Sequence, residues 1–220
     1  IHAMADGNLD TTSLLSFVGA NDGFVVTWYD QSGNGLDVTN TTASNQPQIV
    51  SSGVLETQGT KASLVADGTK YLTIPSGFNH SGTLTGIGVK YTDGSPSHAI
   101  YQIGAVNQAG NLFSTPTVST SRNSVGKESV IGVSSINQHQ IQSGFFTNGR
   151  QDVWVNGVKG GTQSSVAMAT ATNLPLFIGA LSSTVYRFVG SLQEVLLYSS
   201  DKTSDLTDIE SNIITYYGIS

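Results

Sequence analysis

No cysteine occurs in the 220 residues, which excludes disulfides, thiol nucleophiles and cysteine-ligated zinc or iron–sulfur centres. Charge is also scarce. Asp, Glu, Lys and Arg make up 11% of the chain, against roughly 25% in ordinary soluble proteins, so solubility rests on hydroxyls and amides. The nine Lys and Arg are scattered, and the net charge is -6; a nucleic-acid partner needs a clustered basic face, and an anionic membrane repels such a chain. No apolar run approaches the roughly 18 residues that span a bilayer, and no secretory signal pattern opens the sequence.

What is present is a polar but foldable composition. Ser and Thr supply about a quarter of the chain, and hydrophobic residues supply 38%, enough for a core and too many for a disordered segment. The length fits one sandwich domain over residues 1–220. The sequons Asn40-Thr41-Thr42 and Asn79-His80-Ser81 carry little weight in so hydroxyl-rich a chain. No repeat of fixed period is evident.

The segment from Asn8 to Gly19 predicts a short helix, with Asp10 as N-cap, Leu14, Leu15 and Val18 on one face and Gly19 as the stop. The run from Phe24 to Tyr29 has the β-branched and aromatic content of a strand. It leads into Asp30-Gln31-Ser32-Gly33-Asn34-Gly35, an ordered turn in which Asp30 accepts backbone hydrogen bonds. Short strands follow around residues 63–66, 71–74, 85–91, 99–103 and 129–133, and residues 118–127 read as a strand with an exposed loop. In residues 151–160 apolar positions alternate about Asn156-Gly157, the pair preferred by a type I′ hairpin. Strands at 176–179 and 188–198 precede a helix over 204–217, where Leu206, Ile209, Ile213 and Tyr216 recur at helical spacing and Gly218 is the stop. Such a helix is expected to cover an edge or open end.

These residues carry a resemblance. The spans Gly7 to Gly19, Phe24 to Gly35 and Asn45-Gln46-Pro47 resemble the opening of the concanavalin A-like, laminin-G-like sandwich modules of phage tail and bacterial surface proteins. Trp154 to Gly157, Phe177-Ile178-Gly179, Gly190 to Tyr198 and the last helix resemble the end of such modules. The Tyr29-Asp30-Gln31-Ser32-Gly33-Asn34-Gly35 segment is also similar to one in the catalytic sandwich of B-type α-L-arabinofuranosidases. The resemblance implies an all-β fold, a two-sheet antiparallel jelly-roll sandwich with a short N-terminal and a C-terminal helix. It implies an extracellular, virion or cell-surface setting, and a chain that begins inside a longer protein.

A glycosidase needs two carboxyls flanking the scissile bond, about 5–5.5 Å apart for retention and wider for inversion. Where the resemblance places the nucleophile of the arabinofuranosidases, this chain has Gln108-Ala109-Gly110-Asn111, and where it places the acid, Ala180-Leu181-Ser182-Ser183. Amides and hydroxyls neither form the glycosyl ester nor deliver the proton, so a non-catalytic module is expected. Glu194 reads as a structural acceptor on the final strand. The Glu-x-Asp-x-x-Glu signature of glucanases on this fold is absent, as is a Gly-x-Ser-x-Gly elbow, and His2, His80, His98 and His139 have no pattern of a base. Asp30 and Asn34, or Asp67, could give oxygens to Ca²⁺, but spacing does not assemble the about six to eight ligands that the ion takes; no cofactor is expected.

Sugar recognition joins an aromatic face to amides and carboxylates that pair with vicinal hydroxyls. Trp28 and Trp154 lie on apolar strands and read as core, whereas Tyr29 points to the face opposite Trp28. Tyr91, His98, Tyr101, Tyr186 and Arg187, in or beside loops, and Asn111 complete the candidate ligand set. The expected partner is a cell-surface glycan or polysaccharide; a homotrimeric fibre spacer without ligand is the structural alternative, and a glycoside hydrolase of arabinofuranosidase type is the catalytic one.

Overall fold

The computed structural model describes residues 8–92, 98–104, 111–114, 119–122, 128–131, 137–164, 168 and 170–220. Among them, two antiparallel sheets pack face to face. The nine-stranded sheet runs Gly23–Phe24, Gln48–Ser51, Leu64–Asp67, Val189–Tyr198, Thr83–Thr92, Gln138–Thr147, Arg150–Val155 and Val158–Ser164, with Val54–Leu55 paired to Gln48–Ser51. The eight-stranded sheet runs Glu128–Ile131, Ser119–Arg122, Asn111–Ser114, His98–Ile103, Ala171–Ile178, Leu72–His80, Val38–Thr39 and Thr27–Trp28. This is the antiparallel jelly-roll sandwich that the resemblance implies, and its antiparallel pairing is the one that the turn-punctuated strands predict.

The core lies between the sheets, with Leu64, Leu84, Phe146 and Leu192 from one meeting Leu72, Tyr101, Leu112 and Ile178 from the other. Three glycines make the approach possible. A Cβ on Gly86 would stand 1.9 Å from the Tyr101 hydroxyl, on Gly88 2.6 Å from Ile100, and on Gly144 2.7 Å from Leu112. Bare backbone on one sheet thus receives bulky side chains from the other, so the two layers interdigitate.

Helix α1, Thr11–Val18, is capped by Asp10, whose side chain accepts from the Ser13 N–H, and ends at Gly19 with φ +61°. Helix α2, Leu206–Tyr217, ends at Gly218 in the left-handed conformation. It departs from the expected edge or open end. Leu206, Ile213 and Tyr217 pack on Ile87, Val89 and Ile141 from adjacent central strands, so α2 covers the outer face of the nine-stranded sheet. Alternate residues of those strands are apolar on both faces, and a second apolar layer is needed to cover the outer one. Trp154 belongs to this second layer. The Tyr216 hydroxyl donates to Asn8 and the Lys61 ammonium sits 3.8 Å over the Tyr216 ring, so the two ends of the described chain meet.

The hairpin at Asn156-Gly157 has φ +48° and +78° at its two central residues, as a type I′ turn requires. The run from Phe24 to Tyr29 is not one strand. Gly23–Phe24 pairs with Gln48–Ser51 in one sheet and Thr27–Trp28 with Val38–Thr39 in the other, so the chain changes sheets between them. Two bonds steady the crossing: Val25 N–H donates to Pro47, and Asn40 N–H to Val26.

Candidate functional site

Register defines one rung across the eight-stranded sheet. Thr27 pairs with Thr39, Thr39 with Thr73, Thr73 with Phe177, Phe177 with Gln102, Gln102 with Asn111, Asn111 with Arg122 and Arg122 with Glu128. Neighbours on the first five strands, namely Trp28, Val38, Leu72, Leu176, Ile178, Tyr101 and Ile103, pack into the core. Alternation therefore turns Thr27, Thr39, Thr73, Phe177 and Gln102 to the outer face. Gln102 is fully buried, so the face is closed at that strand and partly open from Phe177 to Thr27. The open part is a strip of three hydroxyls beside an aromatic ring.

Tyr71, two residues before Thr73, adds a second ring at 6.2 Å from Phe177. The loop of residues 179–188 borders this pair. Arg187 stands with its guanidinium 5.2 Å from the Tyr71 ring centre, donates to the Thr69 carbonyl at 3.1 Å and also to the Ser183 carbonyl. One side chain thereby ties this loop to the turn of residues 67–71. Tyr186 has φ +49°, rare for an aromatic residue; its carbonyl accepts from Ala99 N–H while its side chain is 50% exposed. Strained backbone of this kind clusters at active sites and ligand clamps, which makes Tyr186 a candidate.

The far edge of the strip is built by the Asn45-Gln46-Pro47 run. Gln46 donates to the Asn40 carbonyl at 2.8 Å, Asn40 donates to the Tyr71 carbonyl at 3.0 Å, and Asn45 accepts from Tyr71 N–H. A gap of about 10 Å³ lies below, lined in part by Trp28, Pro47, Tyr71 and Ile178. It is water-sized at most, so it does not deepen the strip into a pocket.

The structure separates the sequence-derived candidates. Tyr29 is 59% exposed beside the inward-facing Trp28, Asn111 shares the rung by register, and Tyr186 and Arg187 form the bordering loop. Tyr101 is a correction: it is fully buried against Gly86, because a bulge between Ala99 and Tyr101 turns its ring into the core. Tyr91, paired with His139 and Ser191, is on the nine-stranded sheet and off the strip. His98 opens its strand. Phe177, Tyr71 and Thr73 were missed by sequence reasoning. The signal was there in Leu176-Phe177-Ile178, where alternation sets Phe177 opposite two core residues.

Asp30 closes its turn, accepting from Ser32 N–H at 2.8 Å and Leu36 N–H at 3.1 Å. Burial pushes its carboxyl up, but bonds from Ser32, Leu36 and Asn34 outweigh this and hold it below the usual range. The Asn34 side chain donates to Ser32. Asp67 likewise accepts from Thr69. Among the described residues no three His, Asp or Glu side chains gather as a metal ligand set. Glu194 and Glu210 belong to the other sheet and to α2. Burial raises both; Glu194 is hydrogen-bonded to Tyr217, and Glu210 accepts from the Ser143 hydroxyl.

The fold is an antiparallel jelly-roll β-sandwich. No family model and no curated protein matches the chain in sequence. Among solved structures it is similar to domain 4 of AbnA, a GH43 extracellular arabinanase of Geobacillus stearothermophilus in complex with arabinotriose (19% identity, TM-score 0.53, 70% of this chain and 78% of that one). It is also similar to a heptameric SAP-like pentraxin from Limulus polyphemus (13%, 0.53, 64% and 75%). The ligand-binding domain of botulinum neurotoxin serotype D in complex with N-acetylneuraminic acid is a third (10%, 0.57, 93% of this chain and 55% of that one). At such identities these likenesses speak to the fold alone. Among the described residues no helix is long and apolar enough to cross a membrane.

Proposed function

We propose that the protein is a non-catalytic carbohydrate-binding module, and that the outer strip of the eight-stranded sheet is its binding surface. One observation carries this reading: Phe177 and Tyr71 lie 6.2 Å apart beside Thr73, on a rung that continues through the hydroxyls of Thr39 and Thr27. A sugar ring offers an apolar face to such rings and hydroxyls to such neighbours. The complexes of the arabinanase domain with arabinotriose and of the toxin domain with N-acetylneuraminic acid support it by analogy of fold. The deeply placed carboxyls, Glu194 and Glu210, serve the packing of α2 and do not face the strip. The parent is a phage tail or bacterial surface protein, acting outside the cell on a surface glycan.

A glycan array followed by calorimetry tests this reading, with binding expected. Tyr186→Ala and Phe177→Ala should each weaken it by about 1 kcal/mol, roughly fivefold, and Tyr186, being exposed, should do so without a change in melting temperature. An array without hits, repeated on intact host cells, would sink the proposal. The exposed Phe17 and Val54 favour a second reading, a fibre spacer that assembles through this edge; a trimeric mass by light scattering without sugar affinity would replace the first.

A further inference from the structure

We infer that the strip takes an uncharged sugar, an inference that rests on the glycan-binding reading above. Recognition of an acidic sugar needs a cation free to pair with its carboxylate, since burying an unpaired anion is costly. The side-chain cations described beside the strip are Lys70 and Arg187, and both are spent inside the protein. Lys70 donates to the Ser44 carbonyl at 2.7 Å and lies 3.7 Å from Asp67, with its side chain 17% exposed. Arg187 is committed to the Thr69 and Ser183 carbonyls and to the Tyr71 ring. Each fastens the turn of residues 67–71 to another segment, so turning either toward a ligand would undo the wall of the site. Farther along the rung Arg122 stands opposite Glu128 in register.

The acid at this border points the same way. Asp67 is more than half exposed; burial pushes its carboxyl up, but the bonds from Thr69 and the charge of Lys70 outweigh that and keep it ionised well below neutral pH. A ligand carboxylate would meet this anion on a chain of net charge -6, with hydroxyls and aromatic rings in place of a partner. A neutral sugar meets no such opposition: its hydroxyls match Thr27, Thr39 and the accepting side of Thr73, whose own O–H donates to the Leu176 carbonyl at 2.8 Å, and its C–H face matches Phe177.

Pairs matched in all but the carboxylate test this on the full chain: homogalacturonan methyl-esterified and de-esterified, and sialyllactose methyl ester against sialyllactose, within a wider array of neutral and acidic glycans. The uncharged members should bind about tenfold or more tightly than their charged counterparts, with an affinity indifferent to salt and weakened roughly fivefold in Tyr186→Ala. Tighter, salt-sensitive binding of the charged members would overturn the inference while leaving glycan binding intact. Absence of binding to every glycan would overturn both.

Discussion

Tyr101 shows how one residue can be assigned to the surface by its neighbours and to the core by its contacts. Its hydroxyl is buried with no hydrogen-bond partner among the described residues, and it rests where Gly86 leaves room. Tyr101→Phe should therefore fold with equal stability or a gain of up to about 1 kcal/mol, whereas Gly86→Ala should cost about 2–3 kcal/mol by forcing the ring aside; urea denaturation compares the two. Lys90 is equally buried, and burial pulls its ammonium down to about 7. Between that value and the ordinary lysine value the unfolded chain holds more protons than the folded one, so stability should rise with pH across the window. Lys90→Met should flatten that slope and gain on the order of a few kcal/mol near pH 6, read from denaturation midpoints at pH 6 and pH 10.

At the scale of elements, local chemistry was the most legible. Asp10 and Gly19 bound α1, Asn156-Gly157 turns its hairpin and Gly218 stops α2, because caps and turns are decided by a few adjacent residues. The stretch from Phe24 to Tyr29 was less so. A continuous β-pattern does not record which partner each half will pair with, and here the halves pair in different sheets. The placement of α2 was likewise hidden, since an amphipathic helix announces that it needs a cover but not which surface it covers. Its docking yields a prediction. Burial raises the Glu210 carboxyl above its usual range, so the folded state holds its proton longer, and this contribution to stability is present at low pH and lost as pH rises through the raised value. Glu210→Gln keeps an acceptor for Ser143 without the charge, and should be more stable than the parent by about 1 kcal/mol at pH 7 and no more stable near pH 4. Thermal melts at the two values settle it.

For the whole molecule, the sandwich could be read from strand rhythm, while the site was legible only in part. Tyr29, Asn111, Tyr186 and Arg187 were named because loops and polar runs stand out; the rung that joins Thr27, Thr73 and Phe177 crosses strands distant in sequence, and its register is a property of pairing. Since a single interior cluster draws on both sheets, calorimetry should show one unfolding transition, with separate transitions counting against one cooperative unit.

The bond between Tyr216 and Asn8 has a consequence for topology. A chain whose ends lie side by side can be closed into a ring and reopened elsewhere without moving any strand. Joining Ser220 to Asn8 through a short linker and cutting between Ser182 and Ser183 should leave the sandwich folded but unfasten the loop that carries Tyr186. Cutting instead after Gly149, in an exposed turn on the other sheet, should leave that loop whole. The same adjacency lets such a unit be spliced into a host protein as an insertion, entered and left at one point, with the strip on its eight-stranded sheet turned outward.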